Sequence, residues 1–149
     1  MIWSESILES IYKYVTQLAN AQRRLIEKFA KQKTYSGAQG KVIHYLFANK
    51  DHPVYQKNIE RDFGMRPATA TELVKSLEQM GLVRRIPDKN DGRYKEIVLT
   101  EKAQSLQEDV SRDMDELEKS MTEGIGEEEL RLWADITVRM LDNLRGTEK

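Results

Sequence analysis

The feature that most limits how this chain can fold is a change of hydrophobic period at Gly81. From Pro67 to Met80, the apolar residues Ala70, Leu73, Val74 and Leu77 recur at i, i+3, i+4 and i+7. That spacing is the buried stripe of an amphipathic helix. Glycine at 81 suits a left-handed helix end, with Leu82 folding back on the last turn as its hydrophobic contact. Beyond it the period falls to two. Ile97 and Leu99 share one strand face, and Ile86 is placed to meet them from the opposite strand. The intervening turn, Pro87 to Arg93, is densely charged. Lys89, Asp91, Arg93 and Lys95 crowd the tip, with Arg84 and Arg85 behind.

A second, shorter helix precedes the first. Gln56–Phe63 places Ile59 and Phe63 on one face and stops at Gly64. Met65 and Arg66 then lead to Pro67, which fits the first helical position because its missing N–H had no partner there. Arg66 is a poor side-chain cap, so the turn leans on the proline. Two helices joined by a tight turn, the second running into a hairpin, make a helix-turn-helix with a wing. Once the second helix buries its stripe, Ala68, Thr69, Thr71, Glu72, Lys75 and Ser76 remain outside. They are mostly small or hydrogen-bonding, which lets a helix sit deep in a major groove. Threonine can bond base edges or offer a methyl to thymine, and Lys75 can reach a phosphate or a guanine. Arg66 stands where a helix start already favours phosphate. Ala70 is assigned to helix–helix packing. Glu72 can accept from cytosine or pair along the helix with Lys75, and the pairing is the preferred expectation.

The flanks are helical. Ser6 and Glu9 fit a capping box, after which Ile7, Ile11, Val15, Leu18, Leu25 and Phe29 recur at helical spacing. Ser36 and Gln39 form a second such signal before Val42, Ile43, Leu46 and Phe47, and Pro53 closes that helix. Thr100 is placed to cap one continuous helix through Ala103, Leu106, Val110, Met114, Leu117 and Met121, a seam for packing on another helix. Gly124 and Gly126 break it. Glu127, Glu128 and Glu129 then favour a new helix start, followed by Leu130, Trp133, Met140, Leu141 and Leu144.

Charge is distributed unevenly. The net of −1 hides 8 Lys/Arg against 4 Asp/Glu over residues 1–53, and 9 against 6 over 54–95. Residues 101–149 carry 7 against 14. A basic front and an acidic tail suit one-sided docking on a polyanion. Cysteine is absent, which excludes disulfides and thiol chemistry. No run approaches the roughly 18 apolar residues of a membrane span. The opening MIWSESILES lacks the basic flank and apolar run of a secretory signal, so a cytoplasmic protein is expected. No nucleophile–base pair, carboxylate pair, phosphate loop or metal set is visible, which argues against an enzyme and against any metal or cofactor.

Residues 54–100 resemble the DNA-binding core of the MarR (multiple antibiotic resistance regulator) family of winged-helix transcription factors. The match rests on QKNIERDF, PATATELVKSLEQMGLV and RRIPDKNDGRYKEIVLTEKA. The family's wing carries Asp-x-Arg, matched by Asp91-Gly92-Arg93, and a Leu-Thr pair opening the next helix, matched by Leu99-Thr100. The resemblance implies that Arg93 enters a minor groove and that Asp91 orients it, as the negative potential of a narrow groove favours. It also implies dimerisation through the terminal helices and, in many members, release from DNA by a small aromatic or anionic effector bound between those helices and the winged region. Tyr12, Tyr35, His44, Tyr45 and Phe47 are the residues available to line such a site. The thiol-oxidising branch is excluded.

Dimerisation also follows from physics, since two half-sites about 10 base pairs apart demand a two-fold protein. Ile7, Ile11 and Leu18 at one end and Leu130, Trp133, Met140 and Leu144 at the other supply the seams. The expected fold is mainly α with a small β-hairpin (α+β). An N-terminal dimerisation helix (1–34), a winged helix-turn-helix region (35–100) and C-terminal dimerisation helices (101–149) make up one compact chain. The expected function is a homodimeric transcriptional regulator, a repressor on a pseudo-palindromic DNA operator. The alternative is a winged-helix protein–protein module that never contacts DNA.

Overall fold

The computed structural model describes residues 10–148. Seven helices and one antiparallel hairpin follow in the order α1 (Ile11–Ala30), α2 (Gly37–Ala48), α3 (Gln56–Phe63), α4 (Pro67–Gln79), β1 (Val83–Pro87), β2 (Lys95–Leu99), α5 (Glu101–Gln104), α6 (Gln107–Thr122) and α7 (Glu127–Gly146). The mainly α fold with a two-stranded wing is therefore as the sequence implies. Ile7 and the capping signal at Ser6 and Glu9 lie outside the described residues. The chain divides into two compact units, Met1–Leu117 and Glu118–Lys149.

The first unit is built on one apolar core. Val42 and Ile43 of α2, Ile59 of α3, Val74 and Leu77 of α4, Val83 of β1 and Val110 of α6 are essentially inaccessible. A buried aliphatic side chain of this size contributes about 1.5–3 kcal/mol, so the faces read from periodicity are also the faces that hold the unit together. α2 starts on the expected capping box, with the Ser36 hydroxyl accepting from the Gln39 N–H and the Gln39 side chain accepting from the Ser36 N–H. Gly37 lies so near α1 that a Cβ there would stand 2.8 Å from the Ile26 methyl, so α2 can lie against α1 only because the side chain is missing.

α3 and α4 end alike. Gly64 and Gly81 both take left-handed φ, at 62° and 75°. Met65 N–H donates to Glu60 O at 2.8 Å and Leu82 N–H to Leu77 O at 3.0 Å. Each is the longer bond of a Schellman closure, which satisfies carbonyls the helix end would otherwise leave open. Leu82 is buried, as its role as the closing contact requires.

Two details differ from the sequence expectation. The hairpin register sets Val83 opposite Leu99 and Arg85 opposite Ile97, so Ile86 faces Glu96 instead. Ile86 is 41% exposed. The strand begins one residue nearer Gly81 than the period alone suggests, because Leu82 and Val83 are both drawn into the core, and a one-residue offset flips every side chain. Second, the helix capped by Thr100 is not continuous. It breaks after Gln104, where Ser105 N–H and Leu106 N–H bond three residues back rather than four and the Ser105 hydroxyl donates to the Lys102 carbonyl. A serine that bonds the backbone locally competes with the helical ladder.

In the second unit, α7 has no buried residue. Leu132, Trp133, Val138 and Leu144 are each more than half exposed.

Candidate nucleic-acid interface

α4 presents its outer face as expected. Arg66, Pro67, Ala68, Thr69, Thr71, Glu72 and Lys75 are all exposed, while Ala70 is buried in the packing role assigned to it. Arg66 makes no side-chain cap, and Pro67 takes the first turn.

Hydrogen bonds then separate these residues into committed and free. The Thr71 hydroxyl donates to the Pro67 carbonyl at 2.8 Å and accepts from Gln56 Nε2 at 2.9 Å. Gln56 also donates to Glu60 at 3.0 Å, so it ties α3 to the first turn of α4. The donor of Thr71 is thereby spent, and its methyl is what remains to offer. Ser76 is half-buried and turned inward. Its hydroxyl donates to Leu73 O at 2.7 Å and accepts from Gln39 of α2 at 3.1 Å. Ser76 therefore fixes α2 to α4 and leaves the exposed face to its neighbours. The anticipated Glu72–Lys75 pair is not formed among the ion pairs of the described residues. An exposed pair of this spacing gains only about 0.2–0.5 kcal/mol, too little to hold two mobile side chains together. Arg66, Thr69, Glu72 and Lys75 keep free polar side chains on this face.

The wing is preset. Arg93 Nε donates to Asp91 Oδ1 at 3.0 Å, its Nη2 donates to Oδ2 at 2.8 Å, and its backbone N–H adds a third bond to Oδ1 at 3.1 Å. The guanidinium side chain is nevertheless 85% exposed, so it is aimed without being covered. A two-pronged contact fixes the plane as well as the position. The bonds from Arg93 hold the Asp91 carboxyl below the usual carboxylate range and raise the arginine further. Lys89 and Lys95 flank the pair, exposed and unpaired.

Asp88 and Tyr55 join the wing residues that charge and motif mark in the sequence. The Asp88 carboxylate accepts the Tyr55 hydroxyl at 2.7 Å and the N–H groups of Asn90 and Asp91 at 3.0 and 3.1 Å. These bonds, the tyrosine's first, lower the Asp88 pKa and raise that of Tyr55. Aspartate accepting from the backbone two residues on is a turn signature readable in Asp88-Lys89-Asn90. The partner tyrosine, 33 residues earlier, is not. Tyr55 opens α3, where Asn58 caps its N–H at 2.8 Å, and it bridges to Glu96 of β2 while Val54 O accepts from Ile97 N–H. Its ring meets Tyr94 edge-on at 6.4 Å, and Lys57 Nζ lies 4.7 Å from the centre of the Tyr94 ring. The wing tip is thus anchored to the start of the helix-turn-helix.

The hairpin base is pinned too. Arg85 pairs with Glu78 of α4 at 3.0 Å, Thr100 donates to the Gly81 carbonyl at 2.6 Å, and Lys102 donates to the Met80 carbonyl at 2.7 Å. Arg85 is a brace, whereas Arg84 stays exposed.

The five residues expected around an effector are not gathered together. Tyr12 is 68% exposed on α1. Tyr35 is buried beside a cavity of about 10 Å³ that Asp113 and Met114 also line, and its hydroxyl has no partner. Burial, then the nearby Asp113 and Asp109, push Tyr35 up to about 12. Tyr45 donates to Asp62, and burial followed by that bond raises it to about 12. Phe47 lines a groove of about 190 Å³ with His52, Val54 and Ile97. His44 is half-buried on α2 and lines neither space.

Comparison with known proteins agrees with this geometry. The MarR family model matches residues 38–95, from α2 to the start of β2. The crystal structure of the transcription regulator MarR from Oenococcus oeni PSU-1 is 30% identical, with a TM-score of 0.81 over 89% of this chain and 98% of that one. The S. aureus MepR–DNA complex is 25% identical, with a TM-score of 0.78 over 91% and 98%. The uncharacterised HTH-type transcriptional regulator YdgJ of Bacillus subtilis (strain 168) is 26% identical over 95 residues, and the match spans 58% of its length. With its helix pair, braced wing and flanking helices matched along nearly the whole of a solved relative, the chain belongs to the MarR family of winged-helix transcriptional regulators.

Proposed function

We propose that this regulator binds double-stranded DNA as a homodimer, with α4 in a major groove and Arg93 in the flanking minor groove of each half-site, and that it acts as a repressor at a pseudo-palindromic operator. The family is one of DNA-binding regulators, not enzymes. The observation that carries the reading is the arginine tip, exposed yet held by the three bonds it donates to Asp91, beside a helix whose outer face is exposed. Apolar residues left uncovered on α1 and α7 support the dimer: Val15 and Leu18 on one, Trp133 and Leu144 on the other. Ile11, Leu130 and Met140 are half-buried already and extend the same seams. For release by a small aromatic or anionic effector, the groove of about 190 Å³ beside Phe47 and His52 is the larger of the two spaces, since that beside Tyr35 holds about one water.

Fluorescence anisotropy on a labelled duplex over a salt series tests the DNA reading. Binding should weaken steeply with salt, and Lys75→Ala should lower the slope by about 1 per monomer if the lysine meets a phosphate. An unchanged slope with altered base preference makes Lys75 a base reader. Absence of any salt-sensitive binding overturns the proposal in favour of a protein–protein module.

A further inference from the structure

We infer that Glu72 is a specificity-determining residue that selects cytosine at one position of each half-site; this rests on the DNA-binding reading above. α4 buries Ala70, Val74 and Leu77. At about 100° per residue, the line opposite that stripe runs through Ala68, Glu72, Lys75 and Gln79. Glu72 therefore stands near the crest of the outward face, in the half of the helix nearer its N-terminus, the half that contacts base edges in helix-turn-helix proteins. Its neighbours sharpen the assignment. Thr71 spends its donor on Pro67, Ser76 is held by Gln39 and Leu73, and Ala68 has no polar atom. Glu72 has no salt bridge to Lys75 or to any other described residue and is exposed. No ion pair among the described residues neutralises it.

A free carboxylate on that crest is costly among phosphates unless a base donor meets it. In the major groove, guanine offers two acceptors and thymine one, and both repel it. Adenine sets its amino group beside the N7 acceptor. Cytosine presents only the N4 amino donor on its own major-groove edge, with no acceptor of its own beside it, which makes it the base a carboxylate accepts from best. The carboxylate thus discriminates mainly by exclusion, as a repulsive element against the other three bases.

The test is selection from a random-sequence duplex pool by the wild-type protein, Glu72→Ala and Glu72→Gln, followed by anisotropy on the enriched sites. Each variant alters an exposed side chain, and circular dichroism checks its fold. The wild type should require cytosine at one position per half-site, losing on the order of tenfold in affinity when it is replaced. Glu72→Ala should become indifferent at that position alone. Glu72→Gln should shift it to adenine, whose N6 and N7 suit an amide. A motif unchanged in Glu72→Ala overturns this inference and leaves the DNA-binding reading intact. A wild-type protein that enriches no motif overturns both.

Discussion

The reading region and the last helix put their apolar residues to opposite ends. Between Val54 and Thr100 the apolar residues turn inward: Ile59, Val74, Leu77, Val83 and Ile97 are buried in a core shared with α2 and α6. The loose ends of the helices and the hairpin are tied by Gln56, Tyr55, Arg85 and Lys102. α7 carries Leu132, Trp133, Ile136, Val138, Leu141 and Leu144 and buries none of them. Six exposed large apolar side chains on one helix are the kind of surface that marks an interaction site. The difference is one of division of labour. The wing and its helix pair are braced by bonds within the chain, whereas α7 leaves its apolar side chains exposed, the face that the proposed dimer would cover.

The largest expected effect breaks the second region. Replacing Trp133 by Glu sets a charge in the middle of the uncovered face. Buried aromatic anchors at interfaces are worth about 2 kcal/mol or more, so dimer dissociation should strengthen by roughly thirtyfold or more. Sedimentation at micromolar concentration should show a monomer. Operator binding should fall further still, because two linked half-sites are lost to each other. A Trp133→Glu protein that stays dimeric and binds as before would show that α7 is exposed for some other reason. The wild-type thermal midpoint should also rise with protein concentration, as mass action requires of a dimer.

A smaller effect probes how the reading region is preset. Arg93→Ala should weaken operator binding on the order of tenfold with the fold unchanged. Tyr55→Phe keeps every charge at the tip and removes only the hydroxyl that Asp88 accepts. If the aim of the wing depends on that anchor, Tyr55→Phe should lose a few-fold in affinity with the salt slope unaltered, since no phosphate contact is removed. Equal binding by Tyr55→Phe and wild type at moderate salt would assign the aim of Arg93 to Asp91 alone.

These contrasts follow what a sequence can and cannot encode locally. The helix pair, the two glycine closures, the Ser36 capping box and the outer face of α4 rest on spacings of three or four residues, and all of them are present. The hairpin register is not local. It depends on Leu82 and Val83 reaching the core together, which turns Ile86 to the face opposite that of Ile97 and Leu99. The break after Gln104, where Ser105 and Leu106 N–H turn to carbonyls three residues back, interrupts an apolar spacing that itself runs on without a gap. In the candidate site the exposed cations and Asp91 were legible, because charge and the Asp-x-Arg motif mark them. Tyr55 was not, since only the folded hairpin brings it to Asp88. Ser76 and Thr71 look like surface residues in the sequence, and their commitment to Gln39 and Gln56 becomes visible only across helices.

The smallest effect concerns the interior of the first unit. Of the chain's six tyrosines, Tyr35 and Tyr45 are raised to about 12, both first through burial. Tyr45 adds its bond to Asp62, which joins α2 to α3 and stacks the ring edge-on against Phe63 at 5.3 Å. Because the folded chain favours the protonated phenols, their contribution to stability is fully present below the unfolded value near 10 and is lost as pH climbs through about 12. An ultraviolet phenolate titration should therefore show late ionisation near 12, with alkaline unfolding setting in across the same window. Tyr45→Phe should reduce that late amplitude by one phenolate, and its alkaline loss of stability should be shallower than the wild type's. An undiminished late amplitude would mean that the Tyr45 hydroxyl is not held between α2 and α3, and that this corner of the reading region is looser than the wing it supports.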